Sequence, residues 1–377
     1  MFQFLDARGH LRSCRNCMTY ASRFLLLLGL IHPKITAQSI TCVARVPDRD
    51  ESTSSIYALH DIENGSLLAT DNGLFRFTGT STERVPGEPI GKVWNFFDTS
   101  GAGILVGADN GLFRYRGSQI ERVLGDQTGS IDDFQKSSDE VLVGTDQGLF
   151  EYDGSTAKRV SGDNIGSFQQ FLEVNGNILV GAANGLFRWN GGQVKKVLGD
   201  DPGSVERIFT VLQDVLIGTK GSLFQYKNGR VNRIPGGDVG EILAIHNGQL
   251  ELLLGTTNGL FRYKDGHVEK VSGEATKQVF VLHDWKGDLI IGSYGLFRYD
   301  GKTVKSIPSD WTGSIQQIQD TADGLLLGTW RGLYFFDGSH IQRIQGPSTG
   351  YINQFLDMDR DILLMRVSVC FAITIAA

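Results

Sequence analysis

The sequence predicts an all-β protein that is built from one repeated unit, and three observations support this prediction. A Gly-Leu-Phe-like motif recurs with a step of 36 to 38 residues, Asn-Gly or Asp-Gly dipeptides recur within the step, and short segments alternate apolar with polar residues. The motif leucines are Leu74, Leu112, Leu149, Leu186, Leu223, Leu260, Leu296 and Leu333. A constant period of this length is the signature of a repeat architecture.

We expect each repeat to form four short strands. Residues 130–134 and 141–145 illustrate the first and second strands, and residues 112–115 and 120–123 illustrate the third and fourth. The dipeptides fall between the second and third strands and between the third and fourth. They favour tight hairpins, because both central residues of such a turn need a positive φ. The pattern predicts one four-stranded antiparallel sheet in each repeat.

Glycines and aromatic residues recur together in these strands. Phe113 and Tyr115 occupy one face of a third strand, since successive side chains point to opposite faces. The second strands carry glycine at one equivalent position, at Gly107, Gly144, Gly181, Gly218, Gly255, Gly292 and Gly328. This combination predicts closely stacked sheets, and four-stranded sheets with this period are typical of β-propeller blades. The whole repeats favour eight blades, with seven or nine as alternatives.

The fourth strand is expected to form the outer edge of each sheet. It carries a basic residue at one matching position, at Arg84, Arg122, Arg159, Lys196, Arg233, Lys270 and Arg343. Charge on an edge strand blocks edge-to-edge aggregation, and a belt that binds polyanions is the alternative interpretation. The chain has 36 Lys and Arg against 42 Asp and Glu, a net charge of −6. This acidic balance argues against a nucleic-acid partner.

Residues 1–37 have the features of a leader for export. The apolar run at residues 24–31 follows four arginines, and Thr36-Ala37 provides a small-residue cleavage site. The run is too short to cross a bilayer, so we expect no membrane span after the leader is removed. Met18 is an alternative start that gives a more typical length. The sequence therefore predicts a periplasmic or secreted protein.

The remaining chain divides into three parts. Residues 38–54 are expected to form an N-terminal strand and linker, in which residues 43–47 resemble the fourth strand of a repeat. Residues 55–364 hold the propeller repeats. Residues 365–377 lose the motif and are interpreted as a divergent or frameshifted tail. The alternative for this tail is a closing strand with an apolar edge.

Two strings carry a family resemblance: Gly-Thr-Asp-Gln-Gly-Leu-Phe-Glu-Tyr-Asp-Gly at residues 144–154 and Gly-Thr-Thr-Asn-Gly-Leu-Phe-Arg-Tyr at residues 255–263. They resemble the two-component regulator propeller repeat, which occurs in the periplasmic sensor regions of bacterial hybrid histidine kinases. The resemblance implies a propeller that senses oligosaccharides or other extracellular cues. It also implies signalling to a membrane-spanning kinase, but the sequence contains no kinase or receiver region, which puts signalling by this chain alone in doubt.

Residues that deviate between the repeats are the candidates for a binding site. The turns between the second and third strands begin uniformly with aspartate and then deviate, and a loop between repeats deviates as well. Aromatic rings beside an arginine and a carboxylate suit a small molecule or an oligosaccharide, although surface variation without function is the alternative. The candidate residues are Lys220, Tyr294, Asp310, Trp311, Trp330 and Arg331.

Catalytic and cofactor motifs are not found in the sequence. It has no nucleophile elbow, no phosphate-binding glycine loop and no paired-histidine metal motif, so we expect no enzyme activity, cofactor or metal. Polar residues that follow the apolar opening of the first strands are interpreted as the lining of a water-filled channel, among them Asp132, Asp133, Gln169, Gln170, Gln316 and Gln317. The main hypothesis is an exported ligand-binding module of the sensor type. A scaffold for a protein partner and a propeller lyase or glycosidase are the alternatives.

Overall fold

A computed structural model of the chain describes most of residues 56–344 together with the backbone of several flanking strands. Short gaps in this range fall at residues 79–80, 100, 102, 138–139, 212–213, 237, 249–250, 275–276 and 310–312. The flanking strands are β1 (Phe2–Leu5), β2 (Leu11–Cys14) and β3 (Ala37–Arg45) before this range, and three strands of residues 352–375 after it. The predicted linker after residue 45 and most of the predicted leader, including Met18, lie outside the described residues.

The described residues form a series of antiparallel sheets that follow one another along the chain. Sheets one to three contain β4 (Ile56–Ile62), β5 (Gly65–Thr70), β6 (Gly73–Phe77), β7 (Thr82–Arg84); β8 (Val93–Asp98), β9 (Ile104–Ala108), β10 (Gly111–Arg116), β11 (Gln119–Arg122); and β12 (Leu124–Gly125), β13 (Ile131–Ser137), β14 (Glu140–Thr145), β15 (Gly148–Tyr152), β16 (Thr156–Arg159). Sheets four to six contain β17 (Ser161–Gly162), β18 (Phe168–Val174), β19 (Asn177–Ala182), β20 (Gly185–Trp189), β21 (Gln193–Lys196); β22 (Leu198–Gly199), β23 (Arg207–Val211), β24 (Asp214–Gly218), β25 (Leu223–Lys227), β26 (Arg230–Arg233); and β27 (Ile242–Asn247), β28 (Leu252–Thr256), β29 (Gly259–Lys264), β30 (His267–Lys270).

Three further sheets continue the series. They contain β31 (Val281–Trp285), β32 (Asp288–Ser293), β33 (Gly295–Tyr299), β34 (Val304–Ser306); β35 (Ile315–Asp320), β36 (Leu325–Thr329), β37 (Gly332–Phe336), β38 (Ile341–Arg343); and β39 (Ile352–Met358), β40 (Asp361–Arg366), β41 (Val369–Ile375) together with β3. Four strands follow one another in sheet order as they do in sequence in sheets one to eight. The predicted all-β class and the predicted repeat of four-stranded antiparallel sheets are therefore confirmed for the described residues.

Helices are not found among the described residues, and accordingly none of those residues belongs to a helix long and apolar enough to cross a membrane. In the ninth sheet the strand order is β3-β41-β40-β39, so a strand that precedes the repeats pairs antiparallel with the last strand of the chain. Residues 369–375, in the segment interpreted as a tail, thus form a strand. Whether that segment is divergent or frameshifted stays a prediction.

The chain forms two compact units. The first consists of residues 1–84, 283–298 and 306–377, and the second of residues 85–282 and 299–305. Sheets two to six belong to the second unit, and sheets one, eight and nine belong to the first. Innermost strands of successive sheets touch from β8 through β13 and β18 to β23 in the second unit, and β35 touches β39 in the first.

Sheets of the second unit stack through the glycines of their second strands. A Cβ on Gly181 would lie 2.8 Å from the Val205 side chain, and one on Gly144 would collide with the Phe168 ring. Each glycine thus leaves the space into which the opening apolar residue of the next sheet packs. The close stacking that the sequence predicts is confirmed at Gly107, Gly144, Gly181, Gly218 and Gly255.

The outer edge differs from the sequence-based expectation. The fourth strand is not the last strand of sheets three, four and five, because a two-residue strand from the preceding repeat pairs parallel with it. In sheet four, Ser161 and Gly162 pair with Gln193 and Val194. The Asp163 carboxylate then accepts a hydrogen bond from the Lys196 amide at 2.7 Å. Such a short parallel pairing has no periodic pattern, so the sequence did not reveal it.

The basic residues of the fourth strands fasten this edge to the neighbouring turn. The Arg122 guanidinium donates to the Asn110 carbonyl oxygen at 2.7 Å and lies 4.7 Å from the centre of the Phe113 ring. The same two contacts are made by Arg84, with Asn72 and Phe75, and by Arg159, with Gln147 and Phe150. These side chains therefore contribute hydrogen bonds and cation–π contacts in addition to charge.

We expect Gly162→Ala to destabilise the second unit strongly. Gly162 has a φ of 123°, and a Cβ there would collide with the Val194 carbonyl oxygen of the strand it pairs with. Strain and lost pairing together predict a loss of about 3 kcal/mol in the free energy of unfolding. Denaturant unfolding measures it.

Gly191→Ala is the matched control. Gly191 also has a positive φ, 85°, but nothing lies within 4 Å of its added Cβ. It therefore incurs backbone strain alone, about 1 kcal/mol. Equal losses in the two variants would contradict the role assigned to the fifth strand.

Candidate functional site

The turns between the second and third strands are held by a buried threonine. In sheet eight the Thr329 hydroxyl donates to the Gly332 carbonyl oxygen at 2.8 Å and accepts from the Arg331 amide at 3.0 Å. Thr70, Thr145 and Thr256 make the same two hydrogen bonds in their own turns. The residues between the threonine and the glycine are therefore presented from a fixed backbone.

Three predicted site residues lie on equivalent turns of neighbouring sheets in the first unit. Tyr294 stands between β32 and β33 and is 50% exposed, and Trp330 stands between β36 and β37 and is 63% exposed. Arg331 follows Trp330 and is exposed, while its carbonyl oxygen accepts from the Arg343 guanidinium at 3.2 Å. Strands β32 and β35 of these two sheets are in contact. The turns thus offer two aromatic rings and a guanidinium to solvent.

Of the other three predicted site residues, the structure describes Lys220 alone. Lys220 is exposed on the equivalent turn of sheet five, in the second unit. Asp310 and Trp311 lie outside the described residues. Their part in a site stays a prediction from the sequence.

A β-bulge in the first strand is a feature that sequence reasoning missed. The pairing of β8 with β9 shifts between Val93 and Asn95, and that of β13 with β14 shifts between Ile131 and Asp133. The residue at the bulge is re-aimed, as bulges commonly do beside functional sites. In sheets one to four, six and eight the residues at the bulge are Tyr57, Trp94, Asp132, Gln169, Leu243 and Gln316.

Trp94 and the turn aspartates form a polar cluster in the second unit. The Trp94 indole donates to the Asp109 carboxylate at 2.7 Å, and the Lys92 ammonium lies 3.6 Å from the centre of the indole ring. The Ser130 amide donates to the Asp146 carboxylate at 2.8 Å. The aspartate that opens each of these turns therefore ties the turn to residues of the first strands.

Asp132 stands out in this cluster by its electrostatics. The residue keeps more than a third of its surface exposed, yet its carboxyl group is partly enclosed by protein. This burial raises the pKa of Asp132 to about 6, with repulsion from Asp146, Asp133 and Asp109 adding to the effect. The described residues contain no group of three or more side chains arranged to hold a metal ion.

The position after the bulge is structural, which corrects the channel-lining interpretation of Gln170. Its amide donates to the Ile208 carbonyl oxygen at 2.9 Å and accepts from the Ile208 amide at 2.8 Å. Asn95 likewise donates to the Asp132 carbonyl oxygen of the next sheet at 2.9 Å. These side chains therefore join adjacent first strands through hydrogen bonds.

Comparison with known proteins gives similar folds and no family. No protein-family model matches the chain, and no curated protein matches it. Similar solved structures include the extracellular domain of a one-component system of B. thetaiotaomicron, 16% identical over 87% of this chain and 65% of that one, with a TM-score of 0.43. The extracellular domain of a hybrid two-component system of the same organism is 15% identical over 86% of this chain and 64% of that one, with a TM-score of 0.43. BamB from Moraxella catarrhalis is 14% identical over 89% of this chain and 100% of that one, with a TM-score of 0.47.

The chain therefore spans 65% and 64% of the two extracellular domains that it resembles. Membership of the two-component regulator repeat family stays a prediction.

We expect the free energy of unfolding to depend on pH through Asp132. A pKa raised to about 6 means that the folded state binds a proton more tightly than the unfolded chain, whose aspartate titrates near pH 4. Stability therefore falls as the pH rises through this window. Asp132→Asn stays neutral, and we expect it to remove this dependence and to add about 1 kcal/mol near pH 8, allowing for partial exposure. Denaturant unfolding at several pH values measures both.

Asp201→Asn is the control with the opposite sign. The Lys196 ammonium donates to the Asp201 carboxylate at 3.0 Å, which lowers the pKa of that carboxyl. This contact stabilises the fold at neutral pH and is lost in acid, so the variant should lose stability at neutral pH. If both variants gained stability at neutral pH, the total negative charge of the protein, and not the surroundings of Asp132, would explain the change in the free energy of unfolding.

Proposed function

We propose that this protein is an exported ligand-binding β-propeller, a recognition module of the sensor type and not an enzyme. The observation that carries the proposal is the exposure of Tyr294 and Trp330, 50% and 63%, on equivalent turns of neighbouring sheets. Large aromatic side chains on a rigid turn, held by the Thr329 hydrogen bonds, lose little conformational freedom when a ligand stacks on them.

The chemistry of these turns suits a polar organic ligand that has apolar ring faces. Tyr294 and Trp330 offer faces for stacking, and Arg331 offers planar donors that orient hydroxyl or carboxylate oxygens. The Arg331 guanidinium has no carboxylate partner among the described residues, so it is available to a ligand. A small molecule or an oligosaccharide fits this description. On sequence grounds Asp310, Trp311 and Lys220 are proposed to contribute.

The arrangement of the sheets as blades of one propeller belongs to the same proposal. It is supported by the four-stranded repeat and by the contacts between successive innermost strands within each unit. The count of eight blades came from the whole repeats. The ninth sheet, in which β3 pairs with β41, supports nine. Export to the periplasm or the outside is proposed from the features of residues 1–37.

Trp330→Ala should weaken ligand binding without changing thermal stability. The side chain is largely exposed, so its removal costs the fold little, whereas the loss of one stacking face should reduce affinity about tenfold. A thermal-shift screen of the purified full chain against oligosaccharides and small polar metabolites identifies a ligand. Titration calorimetry on the wild type and the variant then gives the affinities.

Tyr57→Ala is the matched control, since Tyr57 is also an exposed aromatic residue, 38%, on the first strand of sheet one. An equal loss of ligand affinity in both variants would show that the binding site does not lie at the turns of sheets seven and eight. A screen that finds no stabilising molecule, together with a protein that co-purifies with the chain, would instead support the scaffold alternative.

A further inference from the structure

The third and fourth strands of the sheets form hairpins in which one cross-strand pair commonly joins opposite charges. In sheet two, Arg114 faces Glu121, and their charged groups lie 2.6 Å apart. Opposite charges at this position favour the hairpin, and like charges oppose it. The same position pairs Arg76 with Glu83, Glu151 with Lys158, and Arg262 with Glu269.

Sheet four breaks this rule at the same position, whereas sheet five has the neutral pair Gln225 and Asn232 there and a like-charge pair two residues nearer the turn. In sheet four Arg188 faces Lys195, and in sheet five Lys227 faces Arg230 near the end of the hairpin. All four side chains are exposed. Within the described residues, no carboxylate lies within the 4.0 Å that defines an ion pair for any of them. Each hairpin therefore carries a like-charge pair that costs stability and has no compensating carboxylate among the described residues.

The two hairpins are also the most one-sided in charge. Residues 185–196 and 223–233 contain six basic residues and no acidic one, in a chain with a net charge of −6. Their turns carry Asn190 and Asn228 where sheets three, six, seven and eight have aspartate. Among the side chains of these six residues, only that of Lys196 forms an ion pair within the described residues, with Asp201 at 3.0 Å.

An exposed leucine lies within this basic surface. Leu198 is 70% exposed, and in β22 it pairs with Arg230, which in turn faces Lys227. Lys195 and Lys196 precede it in the chain by three and two residues. A soluble anion or an acidic polysaccharide would not bury this apolar side chain. The boundary between headgroups and acyl chains of a lipid bilayer would bury it.

We propose that the hairpins of sheets four and five dock the protein on an anionic membrane surface. Arg188, Lys195, Lys227 and Arg230 contact lipid phosphates, and Leu198 enters the boundary between headgroups and acyl chains. Basic residues near an anionic leaflet attract it over about a Debye length, so the attraction weakens as salt is added. Lipid phosphates would also neutralise the two like-charge pairs, for which the described residues supply no carboxylate.

Lys195→Glu is the decisive variant, because it restores the opposite-charge pair of the other sheets. We expect its melting temperature to equal or exceed that of the wild type, and its binding to anionic vesicles to fall about tenfold or more, since two units of charge are lost. The measurement is sedimentation of the full chain with vesicles of phosphatidylcholine and phosphatidylglycerol in about equal parts, compared with phosphatidylcholine alone and repeated at high salt.

Two matched controls separate this surface from total charge and from exposed leucine. Lys264→Glu makes the same charge change on the hairpin of sheet six, where Lys264 faces His267. Leu124→Ser alters an equally exposed leucine, 73%, that pairs with the neutral Thr156, whereas Leu198→Ser alters the proposed insertion point. We expect Lys195→Glu and Leu198→Ser to lose vesicle binding and both controls to keep it.

Three results would overturn the proposal. They are no binding to anionic vesicles by the wild type, equal binding to neutral and anionic vesicles, and equal loss in Lys195→Glu and Lys264→Glu. Binding of dextran sulfate that Leu198→Ser leaves unchanged, without vesicle binding, would assign the surface to soluble polyanions. Ligand binding at Trp330 is measured without vesicles, so its outcome is independent of these results.

Discussion

The contact on which the rest of the second unit depends is the one between a strand-two glycine and the apolar residue that opens the next sheet. Gly181 leaves room for Val205, and Gly144 leaves room for Phe168. Because no Cβ intervenes, adjacent sheets approach closely enough for Gln170 to bond the backbone of the next first strand. A side chain at these glycines would separate the sheets and break those bonds. Protein interiors tolerate little such expansion.

This close stacking near the first strands is matched by a second set of contacts at the outer edge. The two-residue strand that leaves one sheet pairs with the fourth strand of the next, and Asp163 accepts from the Lys196 amide beside it. Between these contacts Arg262 reaches Tyr299 of the next repeat at 2.5 Å. Successive repeats are therefore joined at the inner, middle and outer strands. In sheets three, four and five both the inner and the outer strands are held in this way, so their turns can vary in sequence without loosening the fold.

The sequence predicted the features that repeat with a fixed period, such as the strands and turns. It did not predict the features without a period, such as the bulges and the contacts between side chains of different strands. Strand positions followed from alternation and from turn dipeptides, so that residues 141–145 were expected in a strand observed at Glu140–Thr145. The bulge at Trp94 has no such pattern, because it shifts register by one residue within an ordinary strand. Its hydrogen bond to Asp109 joins residues of different strands and becomes visible only in three dimensions. For the site, Tyr294 and Trp330 were predicted because each departs from its repeat, whereas the coupling of Asp132 to three aspartates needed the fold.

Residues that deviate between the repeats differ in how much stability they cost the fold. A deviation that costs stability is the stronger indication of a function. Trp330 occupies a turn position that is exposed or half-buried in the other sheets, so the fold loses little by the change and chance alone could produce it. Arg188 and Lys195 stand where Arg114 and Glu121 form an ion pair, so this change gives up a favourable contact for an unfavourable one. A costly pair in a surface position points to function more than a change without cost does, because proteins commonly break a local stability rule at functional sites. The like-charge hairpins therefore carry more information about function than the exposed aromatic residues do, although the sequence pattern draws attention to the aromatic residues first.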